Sequence, residues 1–412
     1  ENMMDHIQNI AGNGSRVDRN QAETQAAAYL VSTFQKYGFS VHTEAVATNS
    51  VTIHDGEASL VLKAEGGFYH ETQLVPDGVV AGEFYFQTQD ESLPPMDILR
   101  DRILLMEMPG SDPEFFKNTA ISIVEHGVQD AVRAVVFIKP NPVEREALIA
   151  HASGGAIASI PVGETIVATL PGTGQPDQEI WIATHYDTNS NSPGANDGAS
   201  GAAVALELAR LLADQPPAMT VRIILFTQTA AGYEGVITYV NSHAGDVDRM
   251  AGVIYLDDLG AWSTLALSNS LTLGDDSGEI SPELRRQLQE EGRFHLRNHW
   301  FIRINLDQPD LQDWLNTMQT RKMGIAETPN QIMITLVDTA ARLGIPVQIR
   351  AHPCMNQSPL LAGGFPTVAI CGQGNDLVGT PFDDSANIDR NFLYKAATLA
   401  YASLQAFLGE IK

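Results

Sequence analysis

Apolar runs of strand length alternate with runs at helical spacing through most of the chain, and this alternation constrains the fold more than any other feature. The strand-like runs lie at 179–184, 221–226, 253–256 and 367–370, and the helical ones at 202–212, 235–242, 282–291, 311–318, 331–343 and 390–408. Strands and helices in this order predict a sheet covered by helices on both faces. The expected fold class is α/β, with a mixed, mostly parallel sheet sandwiched by helices.

The N-terminal residues follow the same pattern. A run at helical spacing begins at Gln21 and ends at Gly38, a residue type that suits a helix C-terminal cap. Residues 39–47 then alternate between apolar and polar side chains, as in a half-buried strand. This segment is therefore expected to belong to the α/β domain.

The pattern changes between about residues 51 and 161. Short strand-like runs, such as 102–106 and 134–138, are separated there by turns that contain Pro and Gly. We predict a β-rich insert at 51–161 that interrupts an α/β domain made of 1–50 and 162–412. Helices between about 280 and 345 are expected to cover the cleft of that domain.

Composition excludes two classes of partner. The 412 residues hold 25 Lys and Arg against 50 Asp and Glu, so the net charge of −25 would repel a phosphate backbone. No run approaches the roughly 18 apolar residues of a membrane-spanning helix, so neither nucleic acid nor a membrane span is expected. The two cysteines, Cys354 and Cys371, are too few for a disulfide framework, and the sequence leaves open whether they are thiols or one bridge.

Polar side chains follow the predicted strands where a ligand site is expected. His185 and Asp187 come directly after one strand, and Asp257 closes another. Asp197 lies in the segment Gly194-Ala195-Asn196-Asp197-Gly198, just before a helix. Ligands of open α/β sheets bind outside the carboxyl ends of the strands, so these side chains are expected to converge at one edge.

One imidazole and two carboxylates suit zinc, which also keeps a position for water in catalytic sites. His185, Asp197 and Asp257 are the candidate ligands, and Asp187 is placed to orient the imidazole. Two metal-free alternatives remain open from the residues alone. Asp197 could cap the helix that follows it, and His185 could hydrogen-bond Asp257 without a metal.

The segments Ala183-Thr184-His185-Tyr186-Asp187-Thr188 and Pro193-Gly194-Ala195-Asn196-Asp197-Gly198-Ala199-Ser200-Gly201 resemble the hallmark of metallopeptidase family 28. The family comprises co-catalytic di-zinc aminopeptidases and their carboxypeptidase relatives. The resemblance extends to Gly14-Ser15-Arg16, the strand ending at Asp257 and residues 379–389.

The insert is similar to the protease-associated domain of many relatives, and relatives bearing it are often exported. The N-terminal residues lack the basic start and apolar core of a signal peptide, which leaves the compartment open.

The resemblance implies that His185, Asp197 and Asp257 hold one zinc and that Asp197 would bridge to a second. The family's Glu-Glu pair, which supplies the general base and a ligand of the second zinc, is replaced here by Ala230 and Ala231. Gly379 stands where the family has a late His ligand. Met355-Asn356-Gln357 replaces a Ser-Asp-His triplet. At most one zinc ion is therefore expected per chain.

Loss of the general base, which typically contributes about 10²–10⁴ in rate, makes ordinary peptidase activity doubtful. Glu234, Glu290-Glu291 and His352 are weak candidates to replace it, and Asp258 is expected to be a supporting or surface acid. Two functions remain. One is a one-metal aminopeptidase-like hydrolase that acts on a peptide or a small amide. The other is an inactive pseudopeptidase that binds a peptide or protein partner.

Overall fold

The computed structural model describes residues 3–48, 50–56, 58–69, 74–75, 78–89, 92–108, 123, 127–128, 131–230, 233–260, 264–268, 331–349, 356–373 and 376–410. The helices expected at 282–291 and 311–318 lie outside these ranges. Contacts between Cα atoms divide the chain into two compact units. Of the described residues, those up to Glu44, those from Glu164 to 268 and those from 331 onward form unit 1, and those from Ala45 to Gly163 form unit 2.

The described residues form strands and helices in an alternating order. The strands are β1 Ser40–Ala47, β2 Ser50–Asp55, β3 Ala58–Tyr69, β4 Leu74–Val75, β5 Val79–Gln87, β6 Ile103–Glu107, β7 Ala134–Ile138, β8 Ile157–Leu170, β9 Gln175–His185, β10 Met219–Phe226, β11 Met250–Asp257, β12 Thr264–Ser268, β13 Val347–Ile349 and β14 Thr367–Gln373. The α-helices are α1 Met3–Ala11, α2 Gln21–Lys36, α3 Met96–Leu99, α4 Pro142–Gly154, α5 Ala199–Asp214, α6 Glu234–Ser242, α7 Gln331–Leu343, α8 Ser358–Ala362 and α9 Arg390–Glu410. Short 3-10 helices lie at Ala244–Arg249 and Ser385–Asn387.

Unit 1 contains the predicted mixed sheet, with the strand order β13-β12-β14-β11-β9-β10-β8. The four central strands, β14, β11, β9 and β10, are parallel to one another. The outer strands β8 and β12 run antiparallel to their central neighbours. The α/β prediction with a mixed, mostly parallel sheet is confirmed.

Alternating side chains of the central strands face two separate hydrophobic clusters. Ile180 and Ile182 of β9 pack into one cluster with residues of α1, α2, α5 and α9. Trp181 and Ala183 pack into the other, which includes Tyr239 of α6. Burial of both faces removes a large apolar area from water, which stabilises the folded state by about 25 cal/mol per Å² of apolar surface. Because helices cover both sheet faces, polar side chains that bind a ligand must lie at the strand ends.

Unit 2 has its own hydrophobic cluster and is β-rich, but it also contains a helix that strand-like patterning did not predict. Helix α4 begins with a capping box, in which Asn141 accepts the backbone N–H of Glu144 and the Glu144 side chain accepts that of Asn141. Pro142 at its first position and Gly155 in the left-handed conformation complete these end signals. Such end signals could have revealed this helix where periodicity did not.

Strand and helix bounds in unit 1 lie near the expected ones. Strand β9 extends through His185 instead of stopping at Thr184, so the candidate ligand is part of the strand. Helix α1 was not predicted. Cys371, on β14, is disulfide-bonded, while Cys354 lies outside the described residues. No helix in the described part of the chain combines the length and apolar character needed to cross a bilayer.

Candidate metal centre

Two neighbouring parallel strands bring the first candidate ligands together. His185 is the last residue of β9 and Asp257 the last of β11, and the two strands pair in parallel. Asp197 reaches the same place from the turn that precedes α5. One possible ligand atom from each of the three lies within 4.8 Å of the others, and no other group of this kind is found in the described ranges. The structure thus brings the three predicted residues to one strand edge.

The spacing of these atoms fits a tetrahedral zinc ion. His185 Nε2 lies 3.2 Å from Asp197 Oδ1 and 3.3 Å from Asp257 Oδ1. Ligands bound at about 2.0 Å in a tetrahedron are about 3.3 Å apart. An imidazole nitrogen and two carboxylate oxygens are also donors that zinc prefers. The residues present therefore fit the metal.

Asp187 fixes the orientation of the imidazole. His185 Nδ1 lies 3.2 Å from both the side-chain Oδ1 and the main-chain oxygen of Asp187. Asp187 also accepts hydrogen bonds from the backbone N–H and hydroxyl of Thr229 and from the N–H of Ala230. With the Nδ1 proton directed at Asp187, Nε2 is left to face Asp197 and Asp257, which is the geometry of a ligating histidine.

The surrounding carboxylates control the charge of this site. Burial disfavours the charged imidazolium, but hydrogen bonds to Asp187, Asp197 and Asp257 raise the pKa of His185 well above its usual value. Burial likewise opposes ionisation of Asp187, yet its bonds to His185, Thr229 and Ala230 lower the pKa of its carboxyl group. Both shifts favour the pair of imidazolium and carboxylate, and a metal that binds Nε2 would replace its proton.

The turn that carries Asp197 does not use this residue as a helix cap. Helix α5 has Gly198 as its N-cap and no side-chain cap hydrogen bond, so the capping alternative for Asp197 is wrong. Gly198 has φ +86°, and a Cβ there would lie 3.2 Å from His185 Cε1. Glycine at this position therefore allows the turn to approach the imidazole and leaves the carboxylate of Asp197 directed at the site.

The altered positions lie at neighbouring strand ends and turns. Ala230 follows β10 and offers the site only its backbone, through the N–H bonded to Asp187. Gly379 lies in a turn with φ +74°. Asn356 Nδ2 donates to Asp257 Oδ2 at 3.1 Å, so the amide hydrogen-bonds the carboxylate oxygen that does not face His185. Ala231, Met355 and His352, like Glu290-Glu291, lie outside the described residues.

Two further acids of the sequence analysis lie near the site. Glu234 is the first residue of α6, in the first turn of the helix, and it is fully buried. For Asp258 the supporting role fits better than the surface role, and burial together with the charges of Asp257 and Asp197 raises the pKa of its carboxyl group well above the usual value. Asn196 Nδ2 donates to Asp258 Oδ1 at 3.1 Å. Asp258 thus belongs to the network that supports the Asp197 turn.

Sequence reasoning missed three charged residues next to the site. Arg16, Glu23 and Asp383 are almost completely buried. Burial raises the pKa of Glu23 to about 7 and, together with the charge of Asp197, that of Asp383 to about 6. Only the family-like segments around Arg16 and Asp383 offered a signal, because their partners lie more than 170 residues away in the chain.

The sequence profile of peptidase family M28 matches residues 165–298, the segment that contains all three candidate ligands. The chain carries a domain of peptidase family M28. A probable zinc metalloprotease of Pyrenophora tritici-repentis is 38% identical to the chain over 104 residues, which are 23% of this chain and 24% of the relative. The aminopeptidase YwaD of Bacillus subtilis is 40% identical over 62 residues, which are 15% of this chain and 14% of that protein. The chain thus matches about a quarter or less of the length of these relatives.

Solved structures extend the similarity in fold beyond the M28 domain match. The zinc aminopeptidase BSAP from Bacillus subtilis aligns with a TM-score of 0.54 and 16% identity over 98% of this chain and 93% of that one. An aminopeptidase from Aneurinibacillus sp. strain AM-1 aligns with a TM-score of 0.52 and 19% identity over 98% and 92%. The chain therefore has the mixed α/β fold of zinc aminopeptidases.

Proposed function

We propose that the M28 domain is a one-zinc relative of the di-zinc aminopeptidases and acts on a peptide or small amide. The observation that carries the proposal is the contrast between a zinc-compatible group at His185, Asp197 and Asp257 and the residues beside it. Ala230 and Gly379, which stand where the family has a base and a second-metal ligand, have no side chain that can bind a metal. One ion per chain is the expected content.

His185, Asp197 and Asp257 would hold the ion, and a bound zinc lowers the pKa of a water ligand towards about 7 and polarises a carbonyl oxygen. Asp187 keeps the Nδ1 proton of His185 in place, and Asn356 holds the second oxygen of Asp257. Ala230, which stands at the position of the general base, has no proton acceptor in its side chain. Without a general base, the rate is expected to fall by about 10²–10⁴ relative to that of a complete site.

The second candidate function is a pseudopeptidase that keeps the cleft for binding a peptide or a protein partner. The absence of a proton acceptor at Ala230 favours it, because the base is the group that hydrolysis needs and simple binding does not. Zinc would then act only as an electrostatic anchor for a carbonyl or carboxylate of the ligand. The two candidates share the metal and differ in turnover.

Metal content tests the part common to both functions. Elemental analysis of the native protein should give about one zinc per chain, and His185→Ala should abolish binding. His243→Ala is the matched control, because His243 is another histidine of unit 1 that pairs with Glu44, away from the strand end. Native protein that takes up no zinc, even after soaking, would overturn the proposal.

Turnover separates the two candidates. A panel of aminoacyl and peptidyl amides should give slow hydrolysis that disappears in His185→Ala and persists in His243→Ala. Turnover that is equal in both variants would come from a contaminant and would count against the hydrolase. Peptide binding without any turnover would identify the pseudopeptidase.

A further inference from the structure

Arg16 is a buried arginine whose guanidinium contacts backbone carbonyls instead of a carboxylate. It lies between α1 and α2, is fully buried, and forms no ion pair within the described part of the chain. Burial lowers the pKa of Arg16 to about 10, so the group still carries its charge at neutral pH. A buried charge is costly unless polar groups surround it, so the carbonyls around Arg16 must compensate it.

These carbonyls belong mainly to the segment that carries the candidate ligand Asp197. Nε donates to the oxygen of Tyr186, Nη1 to that of Pro193, and Nη2 to those of Gly194 at 3.0 Å and Asp197 at 3.4 Å. Nη1 also reaches the oxygen of Ile10, in α1, at 3.4 Å. The planar fork thus holds both ends of the turn between β9 and α5.

Asp383 holds the same turn from its N–H side. Its carboxylate accepts the backbone N–H groups of Asn196 at 2.7 Å and Asp197 at 3.1 Å, and its main-chain oxygen accepts that of Ala195. Arg16 takes the carbonyls and Asp383 takes the amides. A turn held on both sides by buried charged groups has little freedom to move its carboxylate.

We propose that Arg16 is a positioning residue for the metal centre, which sets zinc affinity through the Asp197 turn without touching the ion. The inference rests on the proposed zinc site. The proposed role depends on the planar fork of Arg16, because a lysine has one nitrogen and cannot reach four carbonyls of the turn at once. The charge alone acts in the opposite direction, since a cation near the site repels a metal ion.

Two substitutions separate these effects. Arg16→Lys keeps the charge and loses the fork, and we expect it to weaken zinc binding about 10–100-fold, the usual effect of removing a group that supports a ligand. Arg16→Met loses both. If only the charge mattered, Arg16→Lys would leave the zinc dissociation constant unchanged and Arg16→Met would tighten binding, and that pair of results would overturn the proposal.

Arg222→Lys is the matched control. Arg222 is another arginine of unit 1 and is partly buried, but it pairs with Glu179 and Asp246 and lies over Trp181 on β9, away from the strand ends. Arg222→Lys should lower the free energy of unfolding without changing the zinc dissociation constant, which chelator competition measures. An equal loss of zinc affinity in Arg222→Lys and Arg16→Lys would mean that general destabilisation is the cause and would overturn the proposal.

Hydrogen exchange in metal-free protein tests the turn independently of zinc. Arg16→Lys should speed exchange of the Asn196 and Asp197 amides, and Arg222→Lys should not. If the native protein binds no zinc, the proposed function and the effect of Arg16 on zinc affinity are overturned, and this arm still decides separately whether Arg16 holds the turn. Unchanged protection in Arg16→Lys overturns the clamp. Should that variant fail to fold, Thr188→Val should give the same change on a smaller scale. This substitution removes the hydroxyl that accepts the backbone N–H of Arg16 at 2.8 Å.

Discussion

Two neighbouring parts of the same strand edge differ in what they retain. At the ends of β9 and β11, His185 and Asp257 lie within 3.3 Å of each other and meet Asp197. At the end of β10, one strand away, Ala230 presents only a backbone N–H, and that group is bonded to Asp187. The backbone of the altered part therefore still supports the retained part.

The comparison shows that structural and chemical roles of one loop can separate. In the proposed function, the loop after β10 lacks the side chains of a second metal site, yet Thr229 and Ala230 of this loop donate hydrogen bonds to Asp187, which orients His185. Selection on the first half of the site can thus preserve the backbone of the second half. A family match over this segment reports the fold of the loop more strongly than its catalysis.

The largest expected effect is the return of a second metal. Ala231→Glu together with Gly379→His should raise zinc content from about one to about two per chain, measured by elemental analysis. Histidine tolerates the left-handed backbone at position 379 at a cost of about 1–2 kcal/mol. Ala230→Glu, which restores only the base position, is the control and should leave the metal count at one. A count that stays at one in the double variant would show that the second half has changed in more than its side chains.

A smaller effect is expected from cutting the link between the two parts. Asp187→Asn keeps the size of the side chain but removes its charge, so the Nδ1 proton of His185 is no longer held by a carboxylate. Zinc affinity should fall about 10–100-fold. Chelator competition measures this change, and Asp246→Asn, at an acid that forms an ion pair with Arg222, provides the control. Unchanged affinity in Asp187→Asn would mean that the backbone oxygen of residue 187 alone orients the imidazole.

The smallest effect concerns the pH dependence of stability near the altered loop. Glu23, which accepts a hydrogen bond from Thr227, has its pKa raised by burial to about 7, so the folded state binds its proton more tightly than the unfolded chain does. Its contribution to stability is complete below the unfolded pKa and is lost as pH rises towards 7. Between pH 5 and pH 8 the loss is on the order of 2 kcal/mol.

Glu23→Gln should remove this slope. Denaturant unfolding at pH 5 and pH 8 should show a smaller difference in the variant than in the native protein, whatever the constant cost of the substitution. A slope that is unchanged would assign the titration to another group, such as Asp383, whose pKa is raised to about 6.

Much of the fold could be predicted because its signals are local. The helix at 331–343 and the strand at 134–138 have the bounds that their patterns predicted. Helix α4 was not predicted because its periodicity is weak, and its clear signals, Asn141 and Gly155, lie only at its two ends. The candidate ligands were found because strand-end polar residues of a parallel sheet gather at one edge.

The sequence by itself determined the α/β class, the three residues that gather at the strand edge and the side chains absent beside them. Tertiary structure alone decided that Nε2 of His185 lies at zinc-compatible distances from two carboxylates, that Asp197 does not cap its helix, and that Arg16 and Asp383 grip its turn. The reason is distance along the chain. Periodicity and end signals depend on residues within a few turns of one another. The hydrogen bond from Asn196 to Asp383 joins residues 187 positions apart and forms only in the folded protein.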